Sequence, residues 1–260
     1  MIPKILHQTS KDGTIPADCV PYAQRTRELH SGWDYKLWAD GDAVDLIKKH
    51  RPRLLKVFES VPRKIMRADI IRCCIMERIG GLYCDLDYEF LRPFPYVDNK
   101  IVLPRESGDG EPVYLGNAVF ASEKGHPFWS AVLDRMETYS FEPYSTLKEE
   151  DVIDLTGPGL ITAVYRAGFV GNRELCIPAK EEFNPLIPWD EASRAKLERQ
   201  RTVLGIHHCQ GSWRALTKGQ RAVSRLWNGA LRLARLFNSC IELLRRPLRN
   251  IGPGSRGKNR

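Results

Sequence analysis

The segment Arg67–Asp87, RADIIRCCIMERIGGLYCDLD, constrains the fold more than any other stretch of the chain. Helical spacing runs into Gly80-Gly81, and Leu82-Tyr83-Cys84 then forms an apolar strand that ends in Asp85-Leu86-Asp87. Glycine ends a helix without the penalty a Cβ would carry in a left-handed conformation. A helix that drops straight into an apolar strand calls for helices packed on a sheet, an α/β architecture. Two carboxylates one residue apart offer hard oxygen ligands, suited to Mg²⁺ or Mn²⁺ held against a diphosphate. Such a pair also occurs in surface turns, so the context carries the argument for a metal-dependent enzyme acting on a nucleotide-activated substrate.

The helix is expected over Lys64–Ile79, with Ile65, Ala68, Ile71, Ile75, Met76 and Ile79 on one broad face. Asp69 and Arg72 fall within that face. Two charges on an apolar stripe are costly unless paired or bound to something. They form either an ion pair that caps the core or a pair aimed at a polar ligand beside the DxD. The second reading is preferred, because the next element delivers two more acids to the same place.

Elsewhere, strands are expected at Ile5-Leu6, Tyr35–Trp38, Ile101–Leu103 and Val113–Ala121. Helices are expected at Ala23–Leu29, Ala43–His50 and His126–Tyr139, the last with Phe128, Trp129, Val132, Leu133 and Met136 inward. This alternation predicts a mostly parallel sheet. Ligands of such sheets bind beyond the carboxyl ends of the strands, which places Gln8, Trp38 and Asp85 on one edge. Arg105–Pro112 reads as a mobile polar loop. Gly157-Pro158-Gly159 precedes a helix over Leu160–Ala167 and is either an N–H-rich anion or sugar site or an ordinary turn. Asn117 is either a hydrogen-bonding core residue or a contact to an acceptor sugar. Trp33, Trp38, Trp129 and Trp189 read as core.

The net charge of +8 hides a division. Residues 214–260 hold twelve Lys or Arg against the single acid Glu242, so residues 1–213 carry 28 basic against 31 acidic groups. A mildly acidic body argues against a nucleic-acid groove, and no nucleic-acid partner is expected. Within 222–246 a Trp, Phe and Leu face opposes an arginine face, the pattern of an interfacial membrane helix or of a terminal helix packed on the body. Residues 252–260 are expected to be disordered. The seven scattered cysteines match no zinc or disulfide spacing and read as buried thiols in a reducing cytoplasm. No stretch approaches a membrane span, and no leader is expected before the first strand.

Together, IPKILHQT, RADIIR…GGLYCDLD, LGNAVFAS followed by GHPFW, TGPG and IHHCQGSW, in that order, resemble the DXD-containing sugar-binding glycosyltransferases of family 32. That family includes initiating α-1,6-mannosyltransferases and capsule or lipopolysaccharide sugar transferases. The resemblance implies a GT-A-like nucleotide-sugar-binding fold over 1–213, a basic amphipathic extension over 214–251, and retaining transfer from a UDP- or GDP-sugar to a glycan or lipid-linked acceptor in surface polysaccharide synthesis. It implies that Asp85, Asp87 and a late histidine hold Mn²⁺ or Mg²⁺. His207 is preferred for following the apolar run Val203–Ile206, and His208 remains open. Asp69 and Arg72 are then expected on the donor sugar and Tyr83 in the nucleotide pocket. His7, Gln8 and Thr9 should border the base, with Asn117, Gly157, Ser212 and Trp213 completing the donor site. Ser10 departs from the pattern, in which an aromatic often stacks on the base. A cytoplasmic enzyme, peripheral on the inner face of the membrane, would suit a lipid-linked acceptor. The competing classes are a non-catalytic carbohydrate-binding scaffold and a toxin-like protein glycosyltransferase.

Overall fold

The computed structural model describes residues 1–141, 147–186, 188 and 190–209. Contacts divide the chain between Trp213 and Arg214, and only the first unit contains described residues. The expectations for Trp189, Ser212, Trp213 and the basic extension lie outside the described residues.

In chain order the elements are β1 (Ile5–Thr9), α1 (Val20–Leu29), β2 (Asp34–Trp38), α2 (Asp40–His50), α3 (Pro52–Ser60), α4 (Lys64–Arg78), β3 (Gly81–Cys84) and β4 (Tyr88–Phe90). There follow β5 (Ile101–Val102), β6 (Val119–Ser122), α5 (Pro127–Glu137), α6 (Glu149–Leu155), α7 (Pro158–Gly168), β7 (Leu175–Cys176), α8 (Lys180–Phe183), α9 (Glu191–Arg199) and β8 (Gly205–His207). Six strands form one mixed sheet in the order β2-β1-β3-β6-β5-β7. The β1 pairings with β2 and β3 and the β5–β7 pairing are parallel, whereas β6 runs antiparallel to β3 and β5. A separate antiparallel pair, β4 and β8, sets Tyr88 opposite His207.

Side chains alternate across the main sheet as the pleat requires. Tyr83, Phe120 and Ile101 face the cluster built with α2, α3, α4, α5 and α7. Leu82, Cys84, Val119, Ala121 and Val102 face the opposite cluster, with Tyr88, Phe90, Phe94 and Phe183. The sheet is therefore covered on both sides. The five inward residues expected on α5 are all buried, as are Trp38 and Trp129, while Trp33 is half-buried.

Three expectations require correction. α4 has no single buried face: Met66 and every residue from Asp69 to Glu77 are buried, while Ile65, Ala68 and Ile79 are only half-buried. Packing against α2, α3, α5 and β3 surrounds the helix, so a one-sided stripe underestimates its burial. Of Val113–Ala121, only the end from Val119 pairs as a strand. Upstream, the Leu115 N–H is spent on the Thr162 hydroxyl and Gly116 bonds back to Pro104, which replaces a continuous ladder. Finally, Cys19, Cys73, Cys74 and Cys84 are buried free thiols, but Cys176 is half-buried and Cys209 is exposed.

The glycine pair makes the turn from α4 into the sheet possible. Gly80 and Gly81 adopt φ values of 74° and 105°, a region that residues with a Cβ avoid. A Cβ on Gly81 would stand 2.6 Å from the Ile5 carbonyl oxygen and 2.9 Å from His7 Nε2. Only glycine lets β3 enter this close beside β1.

Candidate active site

β3 carries Asp85 to the carboxyl edge of the sheet, where the Asp85 N–H bonds to the Ala118 carbonyl. After Leu86, Asp87 leads into β4, and β8 lies alongside. That pairing brings His207 Nε2 to 3.4 Å from Asp87 Oδ1. Ligand atoms of Asp85, Asp87 and His207 all lie within 4.8 Å of one another. An octahedral Mg²⁺ or Mn²⁺ site with ligands at about 2.1 Å spaces them by roughly 3 to 4.2 Å, so small side-chain rotations close this triad on one ion. Two oxygens and one nitrogen would leave positions for water and phosphate oxygens.

His208 is committed elsewhere. Its Nε2 lies 2.9 Å from Glu89 Oε2 and its ring stacks on Tyr22 with centroids 4.3 Å apart. Glu89 also receives two bonds from Arg194 of α9, at 2.6 and 3.0 Å, and these donors hold its carboxyl down at about 2 despite burial. Of the two histidines, only His207 stands with the two acids.

The second half of the site is a buried charge cluster. Arg72 and Asp69 are 2% and 3% exposed. Arg72 reaches Asp69 Oδ1 at 3.4 Å and both Asp85 oxygens at 3.2 and 3.3 Å. It also donates to the Asn117 and Ala68 carbonyls and lies over the Tyr83 ring, 4.9 Å from its centroid. Asp69 Oδ1 accepts from Asn117 Nδ2 at 3.0 Å and Oδ2 from the Thr156 hydroxyl at 2.9 Å. The ion-pair reading of Asp69 and Arg72 is realised, and Arg72 is in addition tied to the first acid of the DxD.

Electrostatics follow from burial. Desolvation pushes the Asp69 carboxyl up to about 6 although Arg72 pulls it down. Asp85 is raised by burial, with Arg72 opposing and Asp87 reinforcing the shift. Burial lowers His207, but its contacts with Asp87 and then Cys209 prevail and raise it to about 11. An imidazolium there is the protonic counterpart of a bound cation: the acids call for positive charge at this point.

The remaining candidates fall into two groups. Thr9 is half-buried, and its hydroxyl lies 2.9 Å from that of Tyr83, which donates to Asp85 Oδ1 at 2.7 Å. Tyr83 is fully buried, so what it visibly does is position Asp85. His7 and Gln8 were expected to border a base, yet they are 1% and 0% exposed. His7 Nε2 meets the Gly80 carbonyl at 2.9 Å and its Nδ1 accepts from Trp38 Nε1 at 3.1 Å. Gln8 accepts from the Tyr35 hydroxyl and donates towards Cys84 Sγ and the Asp85 carbonyl. Both brace the edge from below. Gly157 caps the start of α7, and the site contact from that turn is made by its neighbour Thr156. Sequence reasoning missed Thr156, although it opens the singled-out TGPG turn.

Residues 16–107 match the family described as the glycosyltransferase sugar-binding region containing the DXD motif. The fold and the paired-acid edge define a GT-A-like glycosyltransferase architecture. The solved PaToxG glycosyltransferase superposes with a TM-score of 0.50 at 15% identity, covering 89% of this chain and 87% of its own. Over residues 16–107 the chain is thus similar to the DXD-containing glycosyltransferases, and its fold is of the GT-A kind. Mannosyl phosphorylinositol ceramide synthase SUR1 of Saccharomyces cerevisiae is 33% identical over 64% of this chain and 42% of its own length. Inositol phosphoceramide mannosyltransferase 3 of Schizosaccharomyces pombe is 33% identical over 64% of this chain and 45% of its own. The initiation-specific α-1,6-mannosyltransferase of the same organism is 24% identical over 62% and 47%. The chain therefore spans less than half the length of these relatives. Among the described residues, no helix is long and apolar enough to cross a membrane.

Proposed function

We propose that this protein transfers a hexose from a nucleoside diphosphate sugar to a hydroxyl of a glycan or glycolipid, with Mn²⁺ or Mg²⁺ as cofactor. The observation that carries the reading is the convergence of Asp85, Asp87 and His207 beside the Asp69–Arg72 pair. A divalent cation held by the triad would neutralise charge growing on the departing diphosphate. Arg72 keeps Asp85 oriented, while Asn117 and Thr156 hold Asp69 ready to accept hydrogen bonds from sugar hydroxyls. Both Asp69 oxygens already accept bonds from side chains, which makes it a poor nucleophile. This supports retention by a front-face route, in which the acceptor proton passes to the leaving phosphate oxygen.

The names of the relatives favour a lipid-linked acceptor with an inositol or sugar headgroup over a surface polysaccharide, and mannose as the hexose. Peripheral attachment at the cytoplasmic face of a membrane through the basic amphipathic pattern in 222–246 is part of this proposal. Thermal unfolding with UDP, GDP and their sugar conjugates, with and without Mn²⁺, tests the reading. A Mn²⁺-dependent rise with one nucleotide series is expected, and Asp87→Asn should abolish both that rise and transfer. Undiminished turnover in Asp87→Asn would refute the metal site.

A further inference from the structure

Glu106 lies outside every motif, yet the fold folds it back towards the site. The Arg105–Leu115 bridge, the Glu106 N–H to Tyr114 carbonyl bond of 2.7 Å and the Gly116 N–H to Pro104 carbonyl bond of 2.9 Å clamp residues 104–106 against 114–116. Glu106 therefore stands next to the strand segment that delivers Asn117. Its carboxylate lies flat on Gly116: a Cβ there would meet Glu106 Oε1 at 2.8 Å. Asp85, His207 and Lys180 are within electrostatic reach, and burial raises its carboxyl. Among the described residues, no hydrogen bond or ion pair to that carboxylate is found. It is also not one of the three groups that close on a metal.

A partly buried carboxylate without a donor, beside a cluster already rich in acids, is unfavourable unless something supplies hydrogen bonds. The half-buried Tyr114 carries the carbonyl that accepts from the Glu106 N–H, and the Glu106 and Asp154 charges both bear on its phenol. Tyr114 is tied to the same loop through its N–H to Ser107 Oγ at 3.0 Å. Acceptor-only oxygens with no donor of their own match a ligand rimmed with hydroxyl donors, such as a polyhydroxylated ring.

We propose that Glu106 and Tyr114 form the acceptor subsite, which takes a polyhydroxylated ring, a sugar or a cyclitol. Glu106 accepts hydrogen bonds from the ring hydroxyls, and Tyr114 lines the same subsite. The proposal rests on the glycosyltransferase reading for the word acceptor, while the site itself stands on Glu106, Tyr114 and Gly116. An anionic headgroup phosphate would sit away from Glu106, so the ring must be the recognised part.

The test uses the full chain with Mn²⁺ and either UDP or GDP, and methyl α-mannopyranoside and myo-inositol as probes. Saturation-transfer NMR reads probe binding, and thermal unfolding reads nucleotide binding. Glu106→Gln is expected to weaken probe binding by about tenfold, the effect of exchanging a charge-assisted hydrogen bond for a neutral one. Gly116→Ala, which keeps the carboxylate but pushes it from its seat, should act in the same direction. The Mn²⁺-dependent nucleotide shift should persist in both variants. The proposal is overturned if the wild type binds neither ring, if both variants bind them unchanged, or if Glu106→Gln loses the nucleotide shift as well. Absence of any nucleotide shift in the wild type would instead count against the transferase reading, without bearing on Glu106-dependent ring binding.

Discussion

Replacing His7 by glutamine separates a base contact from an internal strut. His7 is buried, and its two ring nitrogens hold the Gly80 carbonyl and the Trp38 indole N–H. Only the neutral ring, with the proton on Nε2, satisfies both partners, since a proton on Nδ1 would oppose the Trp38 donor. Burial accordingly lowers the ring to about 4 from its ordinary 6.5. A histidine with a depressed folded-state value stabilises fully above 6.5 and loses that contribution as pH falls towards 4. The gap of about 2.5 pH units corresponds to about 3 kcal/mol, of which about 2 is gone by pH 5. Asp69 acts in an overlapping window with the opposite sign, because an acid raised to about 6 lowers stability as pH rises through 3.8 to 6. That background is common to wild type and His7→Gln and cancels in their difference. Urea unfolding of both proteins from pH 7.5 to 4.5 should show the wild-type advantage shrinking by about 2.5 kcal/mol. A pH-independent difference would refute the strut, as would a variant of unchanged stability whose KM for donor rises; the latter would return His7 to the base.

Gly81→Ala must place a Cβ against the Ile5 carbonyl and the His7 ring at a φ of 105°, and should cost about 3 kcal/mol or more in urea unfolding; a loss below about 1 kcal/mol would contradict the close approach. His207→Ala should abolish Mn²⁺-dependent stabilisation, whereas His208→Ala should lower stability through Glu89 and Arg194 and leave the ion response in place. Because His207 is protonated without metal, Mn²⁺ binding should release one proton and strengthen about tenfold per pH unit between pH 6 and 8, and a flat isothermal-titration profile would show that His207 is not a ligand. Arg72→Met leaves buried Asp69 and half-buried Asp85 with no cation and should cost about 3–5 kcal/mol; Asp69→Asn on that background should recover part of the loss, and strict additivity would argue against the shared cluster.

Local sequence determined what the chain's short-range chemistry could express. The Gly80-Gly81 stop, the apolar strand and the Asp85-Leu86-Asp87 end are read correctly because helix termination, pleat alternation and carboxylate placement act over a few residues. The inward face of α5 was legible for the same reason. The single stripe expected on α4 was not, since the number of sides on which a helix is covered depends on where α2, α3 and α5 pack. Likewise the HQT motif names residues at the right edge of the sheet but not which of them face out. The β1–β3 contact buries His7 and Gln8 and leaves Thr9 half-exposed. The preference for His207 over His208 was legible in the apolar run before it, but its geometry belongs to tertiary structure: the register of β4 with β8 aligns His207 with Tyr88, beside Asp87, and sends His208 to Glu89. Glu106 carries no local signal at all. Its place beside Asn117 comes from backbone bonds across a loop and from the missing side chain of Gly116, and contacts of that kind between residues distant in sequence have no period for a reader of the sequence to find.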